Sequence, residues 1–363
     1  MEDCTDMRKH RVHSLAFAAF AAVSFSLGCT SEKIVYKSGT DFAAPPAASK
    51  SFVGYYDEAN KATVCGSCHA EKQVAWKTTK HASAWADLSA NTSKAGYCEA
   101  CHTVNNLGNA ATDTASGWRS TKDARFHDVQ CESCHGAGLT HASAPNATNR
   151  PLASIAADTT ATNGCGECHS GTHNPFAREW KLSGHSQTWE ASHNSTDPYC
   201  QGCHTGQGAL LTWQKGGNYV EKNSTAMLPA TCAVCHDPHG NTGVDKQLRF
   251  PLNAANLENN LCIKCHQRRG TSADAVSMGR NSVHSPEGPT LLGMAGWFPP
   301  GMSPADSLVA THGSSTKNPK LCATCHVQAY QGTDPVTKQA VFSTGHRFLA
   351  TPCVGANGLP LDS

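Results

Sequence analysis

One pattern of residues that can do chemistry, C-x-x-C-H, recurs eight times along this chain of 363 residues. Two thiols separated by two residues can each form a thioether with one vinyl group of a porphyrin, and the His that follows can bind the iron from the same face. The pattern therefore predicts eight covalently attached haem c groups. The predicted thioether residues are Cys65, Cys68, Cys98, Cys101, Cys131, Cys134, Cys165, Cys168, Cys200, Cys203, Cys232, Cys235, Cys262, Cys265, Cys322 and Cys325. The predicted proximal iron ligands are His69, His102, His135, His169, His204, His236, His266 and His326.

Other uses of paired cysteines fit the pattern less well. Zinc ribbons also contain C-x-x-C, but their pairs lie about 15–20 residues apart and need no following His. A redox dithiol needs a single pair, and a disulfide framework predicts no His at all. Because a His follows all eight pairs, we retain haem attachment.

The spacing of the motifs, which we number 1 to 8 in chain order, is nearly constant. Their first cysteines are separated by 33, 33, 34, 35, 32, 30 and 60 residues. A fixed period is typical of repeat architectures, in which one unit cannot bury its core alone. The last interval is about twice the others, as after the loss of one unit or the insertion of a loop. Residues 290–304, which include Trp297, lie within it.

The sixth iron ligands are expected to be further histidines. Met227, Met278, Met294 and Met302 lie in no repeating context, and His ligation at both positions keeps haem potentials lower than Met ligation does. The candidates are His81, His141, His173, His185, His239, His284, His312 and His346. Two of them, His81 and His185, lie five residues after a Trp. The other two histidines, His127 and His193, are expected to bind no iron, and the sequence does not assign a candidate to a particular motif.

The composition predicts the fold class. Leu, Ile, Val and Phe make up 53 of the 363 residues, a share below about 20%, which with high charge would indicate disorder. The formal net charge is only +1, and eight porphyrins can supply the missing apolar core. We predict a mainly irregular chain with short α-helices around a haem core and little or no β-sheet. Residues 71–88 and 176–191 have helical character.

The N-terminus predicts export. A basic segment, residues 8–11, precedes the apolar run 14–27, as in a secretory signal peptide. We assign residues 1–28 to it, with Met7 as a second candidate start because acidic residues precede it. Residues 26–29 (SLGC) are similar to a lipobox, which predicts lipidation of Cys29 and an outer-membrane lipoprotein. The alternative is ordinary cleavage near residues 21–28.

The rest of the chain divides into a tether and a haem-binding domain. Residues 29–62 hold the lipidated Cys and a tether without periodicity, and residues 63–363 form the domain. Within it, residues 63–220 carry a first haem group and residues 221–363 a second. No later segment is long and apolar enough to cross a membrane. The remaining Cys353 lies outside every motif and is either free, buried or paired between chains.

Parts of the chain resemble known cytochrome families. Residues 63–86 (TVCGSCHAEKQVAWKTTKHASAWA) and 129–141 (VQCESCHGAGLTH) resemble the tetrahaem nitrifier-type cytochrome c family. Residues 232–266, with CAVCHDPHG and LCIKCH, resemble the doubled-CXXCH module of multihaem cytochromes from metal-respiring bacteria. The resemblance implies closely stacked haem pairs, ligation by two histidines and a role in periplasmic or extracellular respiration.

We therefore expect electron transfer outside the cytoplasm, along eight closely spaced haems, in anaerobic or extracellular respiration. We expect an electron carrier rather than a substrate-converting enzyme and assign no catalytic residue. One alternative is an octahaem oxidoreductase that acts on a small nitrogen or sulfur compound at one five-coordinate haem. Another is the subunit of a cytochrome filament. The expected partners are other redox proteins, including a porin–cytochrome complex or like subunits, and a membrane through the lipid anchor, but no nucleic acid.

Overall fold

The computed structural model describes residues 52–111, 117–156, 164–171, 173–256, 258–267, 284–295, 298–302, 311–351, 354–355 and 357–359. The predicted signal peptide, the predicted lipidation site Cys29, most of the tether, Trp297 and Cys353 lie outside these residues. Within them, no helix is long and apolar enough to cross a membrane.

Short helices joined by irregular chain make up most of the described structure. The α-helices are α1 Ala70–Trp76, α2 Ala84–Ala90, α3 Trp118–Thr121, α4 Cys131–His135, α5 Leu139–Ser143, α6 Phe176–Lys181, α7 Thr188–Ala191, α8 Pro198–His204, α9 Gly206–Thr212, α10 Cys232–Cys235, α11 Glu287–Leu291 and α12 Ala323–His326. Short 3-10 helices lie at Cys65–Ser67, Lys80–Ser83, Gly96–Cys101, Ala124–Phe126, Cys165–Glu167, Gly184–Gln187, Asp245–Gln247 and Thr311–Gly313.

The β-strands in the described residues form two antiparallel pairs, besides two isolated bridges, Thr103 with His127 and His236 with Leu248. Strand β1 (Tyr55–Asp57) pairs with β2 (Ala62–Thr63), and β3 (Tyr330–Thr333) pairs with β4 (Ala340–Ser343). The predicted fold class, irregular chain with short helices and little β-sheet, is confirmed.

Each attachment motif forms a helical turn or a short helix. In motifs 1, 4, 6, 7 and 8 the amide of the motif His donates to the carbonyl of the first motif Cys over 2.9–3.1 Å. Residues three and four apart lie on one face of such a turn. The two thiols and the imidazole of one motif therefore point to the same side, as attachment to a single porphyrin requires.

The apolar side chains pack as small separate clusters. One contains Phe52, Val104, Trp118 and Phe126. A second contains Ile155, Leu210, Tyr219 and Ala233, and a third contains Tyr55, Trp76 and Ala82. Clusters of this size bury little surface, so the packing agrees with a core that the polypeptide alone does not supply.

Candidate haem attachment sites

The imidazole rings of the predicted ligands come together in six pairs. Each pair joins one motif His to one His outside the motifs, and the ring centroids lie 5.9–6.4 Å apart. The pairs are His69 with His141, His169 with His81, His135 with His239, His266 with His185, His204 with His284, and His236 with His346. In every pair the two residues are far apart in the chain.

This separation matches two imidazoles on opposite sides of one metal ion. A bond from a metal to an imidazole nitrogen is about 2 Å long and the ring centroid lies about 1 Å beyond the nitrogen, so two such rings have centroids about 6 Å apart. Together with two free thiols in each motif, the donor set fits haem c.

Burial strongly lowers the pKa of two of the paired imidazoles, those of His81 and His185. Burial, and then the neighbouring imidazole of His169, lowers the pKa of His81 to about 4. Burial and His266 do the same to the pKa of His185. A metal ligand must be deprotonated, and these rings are in that state at neutral pH.

Backbone carbonyls orient five of the motif imidazoles. The Nδ1–H groups donate to carbonyl oxygens over 2.8–3.0 Å, and this bond leaves Nε2 free to bind iron. The donor and acceptor pairs are His102 with Ala84, His135 with Pro151, His204 with Thr188, His236 with Lys246, and His326 with Phe348.

Two motif histidines, His102 and His326, have no second imidazole beside them in the described part of the chain. Of the eight predicted sixth ligands, His173 and His312 lie in none of the six ring pairs, and both are exposed. The sequence offered as many distal candidates as motifs without assigning any candidate to a particular motif. The described residues bring six of those candidates to a motif.

The histidines expected to bind no iron have other surroundings. His127 stacks on the Trp85 ring at a centroid distance of 4.0 Å and an interplanar angle of 10°. Its Nδ1 lies 3.1 Å from Oε1 of Glu58. His193 is exposed.

Thiols from different motifs also contact each other. In motifs 1 and 3, and again in motifs 4 and 6, the first cysteines lie close enough to shift each other's pKa: Cys65 with Cys131 and Cys165 with Cys232. In motifs 2 and 4, and again in motifs 5 and 7, the second cysteines are equally close: Cys101 with Cys168 and Cys203 with Cys265. The contacts therefore repeat every three motifs. Motif 4 contacts motif 6 through its first cysteine and motif 2 through its second.

The last motif continues this repeat. The first cysteines of motifs 7 and 8, Cys262 and Cys322, also lie close enough to shift each other's pKa, as those of motifs 1 and 3 do. If the motifs are grouped in sets of three, motif 7 takes the first position of the last set and motif 8 the third. The second position of that set falls in the 60-residue interval between them. Of the two explanations for that interval, the loss of one unit fits this contact pattern.

The surroundings of the motifs repeat as well. The indole nitrogen of Trp76 donates to the carbonyl of Val129 over 3.0 Å, and that of Trp180 donates to the carbonyl of Ala230 over 2.8 Å. Each acceptor lies two residues before the first Cys of a motif, number 3 or number 6. The shared Trp-to-His spacing in the sequence therefore corresponds to a shared structural role.

Buried carboxylates are the functional residues that sequence reasoning missed. Asp237 is 5% exposed, and its carboxylate accepts from the amides of His239 and Asn241 over 3.2 and 3.0 Å. Glu132 and Glu179 are also buried. For Glu132 and Asp237, their positions in C-E-S-C-H and C-H-D-P-H were the available indication.

These attachment sites define a class of protein. Paired thiols followed by a His, repeated along a chain whose buried apolar side chains form only small clusters, define a multihaem c-type cytochrome. The chain is such a cytochrome: it binds haem c covalently and transfers electrons.

Matches to two family models agree with this class. Residues 64–136 match the family of cytochrome c554 and c-prime, and residues 227–271 match the doubled CXXCH motif, so both resemblances predicted from the sequence are confirmed. The crystal structure of the outer cell wall cytochrome OcwA is similar at 17% identity and a TM-score of 0.45, covering 85% of this chain and 82% of that chain. No curated protein sequence matches the chain.

Proposed function

We propose that this cytochrome carries electrons outside the cytoplasm by holding eight haem c groups close together, most of them between two histidines. The six imidazole pairs at 5.9–6.4 Å carry the proposal. When bound, each haem supplies an iron that takes up and releases one electron, and the protein supplies its ligands, spacing and surroundings.

From these pairs we assign the imidazole that would join each motif His in holding a haem iron. Motifs 1, 3, 4, 5, 6 and 7 receive, in that order, His141, His239, His81, His284, His346 and His185. The assignment gives low potentials, since two imidazoles stabilise ferric iron more than an imidazole and a thioether do. A carrier needs no vacant ligand position at these six irons.

The contacts between motifs supply the connections. Burial and the nearby Cys165 raise the pKa of Cys134 to about 12, so motif 3 adjoins motif 4. The pKa of Cys262 is raised by the nearby Cys322, by burial and by Cys235, so motif 6 adjoins motif 7. We propose that the sites are connected in the order 1, 3, 4, 6, 7 and 8, with motif 2 beside motif 4 and motif 5 beside motif 7.

Replacing the distal histidines one at a time tests the assignment. His141→Ala and His239→Ala should each convert one low-spin ferric haem of eight to high spin, because each removes one sixth ligand. Electron paramagnetic resonance and magnetic circular dichroism measure this change, and mass spectrometry counts the attached haems. The control is His193→Ala, which should leave the spectra unchanged. Unaltered low-spin spectra in the two distal variants would contradict the assignment.

We propose export and lipid attachment at Cys29, supported by the basic segment, the apolar run and the SLGC sequence. Other redox proteins are the proposed partners. Metabolic labelling with a radioactive fatty acid should mark the wild-type protein and not Cys29→Ser, and the variant should leave the membrane fraction. Equal labelling of the two proteins would exclude Cys29 as the acceptor.

A second candidate function is chemistry on a small nitrogen or sulfur compound at a five-coordinate iron. It is favoured by His102 and His326, which face no second imidazole in the described part of the chain. Carbon monoxide titration of the reduced protein distinguishes the two functions. Binding at one or two haems supports the second function, and no binding supports a carrier alone.

A further inference from the structure

Helix α6, which follows motif 4, carries a buried carboxylate that contacts a distant part of the chain. Glu179 is 7% exposed. Its oxygens accept from the Thr344 amide over 2.8 Å, the Thr344 hydroxyl over 2.7 Å and the His346 amide over 2.9 Å. The Ser343 hydroxyl donates over 3.3 Å. All four donors are uncharged, and they lie 164–167 residues beyond Glu179 in the chain.

The segment around this carboxylate is a tight loop, residues 343–346. Gly345 has a φ of +84°, a conformation that favours glycine, and its amide donates to the Ser343 hydroxyl over 3.0 Å. A Cβ atom at this position would lie 2.6 Å from the carbonyl carbon of Val327. The loop therefore packs between helix α6 and the residue that follows motif 8.

The same helix also contacts the His346 ring. Phe176 meets this ring edge-on at a centroid distance of 4.9 Å. It lies three residues before Glu179, on the same side of the helix. The ring also contacts Phe348 at 5.7 Å and His236 at 6.3 Å, the latter with an interplanar angle of 19°. One helix thus contacts both the backbone and the ring of His346.

We propose that Glu179 is the positioning residue for His346 and holds it as the second imidazole ligand of the iron bound by His236. The inference rests on the ligand pairing proposed above. An iron ligand must be held within about 0.5 Å of its productive position by its surroundings. A flexible loop gives no such precision, whereas a buried carboxylate with four donors from that loop does.

The neighbouring sites show that this support is specific to His346. In helix α1 the position equivalent to Glu179, one residue before the Trp, is Ala75. The distal candidate of motif 3, His239, is instead held by Asp237, two residues before it in its own loop. Loss of the Glu179 carboxylate should therefore affect one site of the eight.

The test compares spin states in the full haem-loaded protein. Glu179→Ala should turn one low-spin ferric haem of eight to high spin in electron paramagnetic resonance and magnetic circular dichroism spectra. Added imidazole should restore low spin, because it can occupy the vacated position. Glu179→Asp should retain more low-spin haem than Glu179→Ala. The matched control is Glu190→Ala, which removes an exposed carboxylate from the next helix, α7.

Two further variants separate the possible failures. If His346→Ala leaves all haems low-spin, the ligand pairing is wrong. If His346→Ala yields one high-spin haem and Glu179→Ala yields none, the pairing stands and the role of Glu179 is overturned. Should Glu179→Ala lose haem by mass spectrometry, Glu179→Gln decides, since it keeps the side-chain volume. Cyanide should then displace one ligand at least about tenfold faster than in the wild type, and an unchanged rate would refute the proposal.

Discussion

Single residues in this cytochrome are fixed by hydrogen bonds that reach far along the chain. Glu132, inside motif 3, accepts from the amides of Val53, Gly54 and Gly138 over 2.8–3.0 Å. Burial raises its pKa from an ordinary value of 4.5 to about 7, although these three amides lower it. Glu132 thus joins the start of the described chain to an attachment motif, although burial makes its charged form unfavourable.

The raised pKa of Glu132 predicts a pH-dependent stability. Because the pKa is higher in the folded state, the stabilising contribution of Glu132 is complete below pH 4.5 and is lost as the pH rises through about 7. A shift of this size corresponds to about 3 kcal/mol in the free energy of unfolding. Guanidinium denaturation between pH 4.5 and 7 should show that decline in the wild type and a smaller one in Glu132→Gln. Parallel curves for the two proteins would contradict the prediction.

At the scale of elements, the sequence predicted the attachment turns but not how the longer segments break. The predicted helical stretch 71–88 forms helix α1, the turn Lys80–Ser83 and helix α2, and the stretch 176–191 divides in the same way. The breaks lie at Thr79 and Ser183, whose backbones are extended. They bring His81 and His185 to motifs 4 and 7, contacts about 80 residues distant that no local pattern encodes.

The same limit applies to the candidate site. The motif residues follow from chemistry at fixed spacing, so the sequence alone predicts them. The ring pairs depend on folding: His135 meets His239 and His236 meets His346 across more than 100 residues. No local sequence pattern separates His284, which lies beside His204, from His312, which lies in no ring pair; only their positions in space do.

The equivalent indole hydrogen bonds of Trp76 and Trp180 predict that the loss of either one lowers the stability of the protein by a similar amount. Trp76→Phe and Trp180→Phe each remove one donor and leave a carbonyl without it, which costs about 1 kcal/mol. Denaturation midpoints should fall by similar amounts in the two variants. Trp189→Phe is the control, because its indole nitrogen has no hydrogen bond within the described residues. A large difference between the first two variants would argue against equivalent roles.

For the whole molecule, the contacts between motifs form a branched series in which motif 4 links motifs 1 to 3 with motifs 5 to 8. The contacts near the start of the chain join motif 1 with 3, 3 with 4 and 2 with 4. Each has a counterpart later in the chain, where the contacts join motif 4 with 6, 6 with 7 and 5 with 7. The described residues provide no thiol contact that bypasses motif 4. Electron exchange between the two ends should therefore depend on this motif.

A change of ligand at motif 4 tests this dependence. Met ligation raises a haem potential. In His81→Met the haem at motif 4 should therefore keep its electron instead of passing it to the neighbouring haems. The protein can be fixed to gold through Lys72→Cys, an exposed position beside motif 1, with Cys29 and Cys353 replaced by Ser. Fast voltammetry should then reach about three sites (motifs 1, 3 and 4) instead of all eight in a scan.

The matched variants change other positions. His284→Met alters a site at the end of a branch, so it should raise one midpoint potential while all eight sites still respond. His193→Met replaces an exposed His outside the ring pairs and should leave the voltammogram as it is. A full fast response in His81→Met would reveal a connection around motif 4.

The histidine pairs also have a consequence for how the molecule unfolds. In motif 3 the His135 ring lies beside His239, which follows motif 6, and in motif 4 the His169 ring lies beside His81, which precedes motif 2. Linear arrays of self-sufficient units lose cooperativity as they lengthen. Under the ligand pairing proposed above, each set of three successive motifs supplies one imidazole ligand to the next set and receives at least one from it. Neither set can therefore unfold alone without removing iron ligands from its neighbour. Thermal denaturation should follow one shared transition.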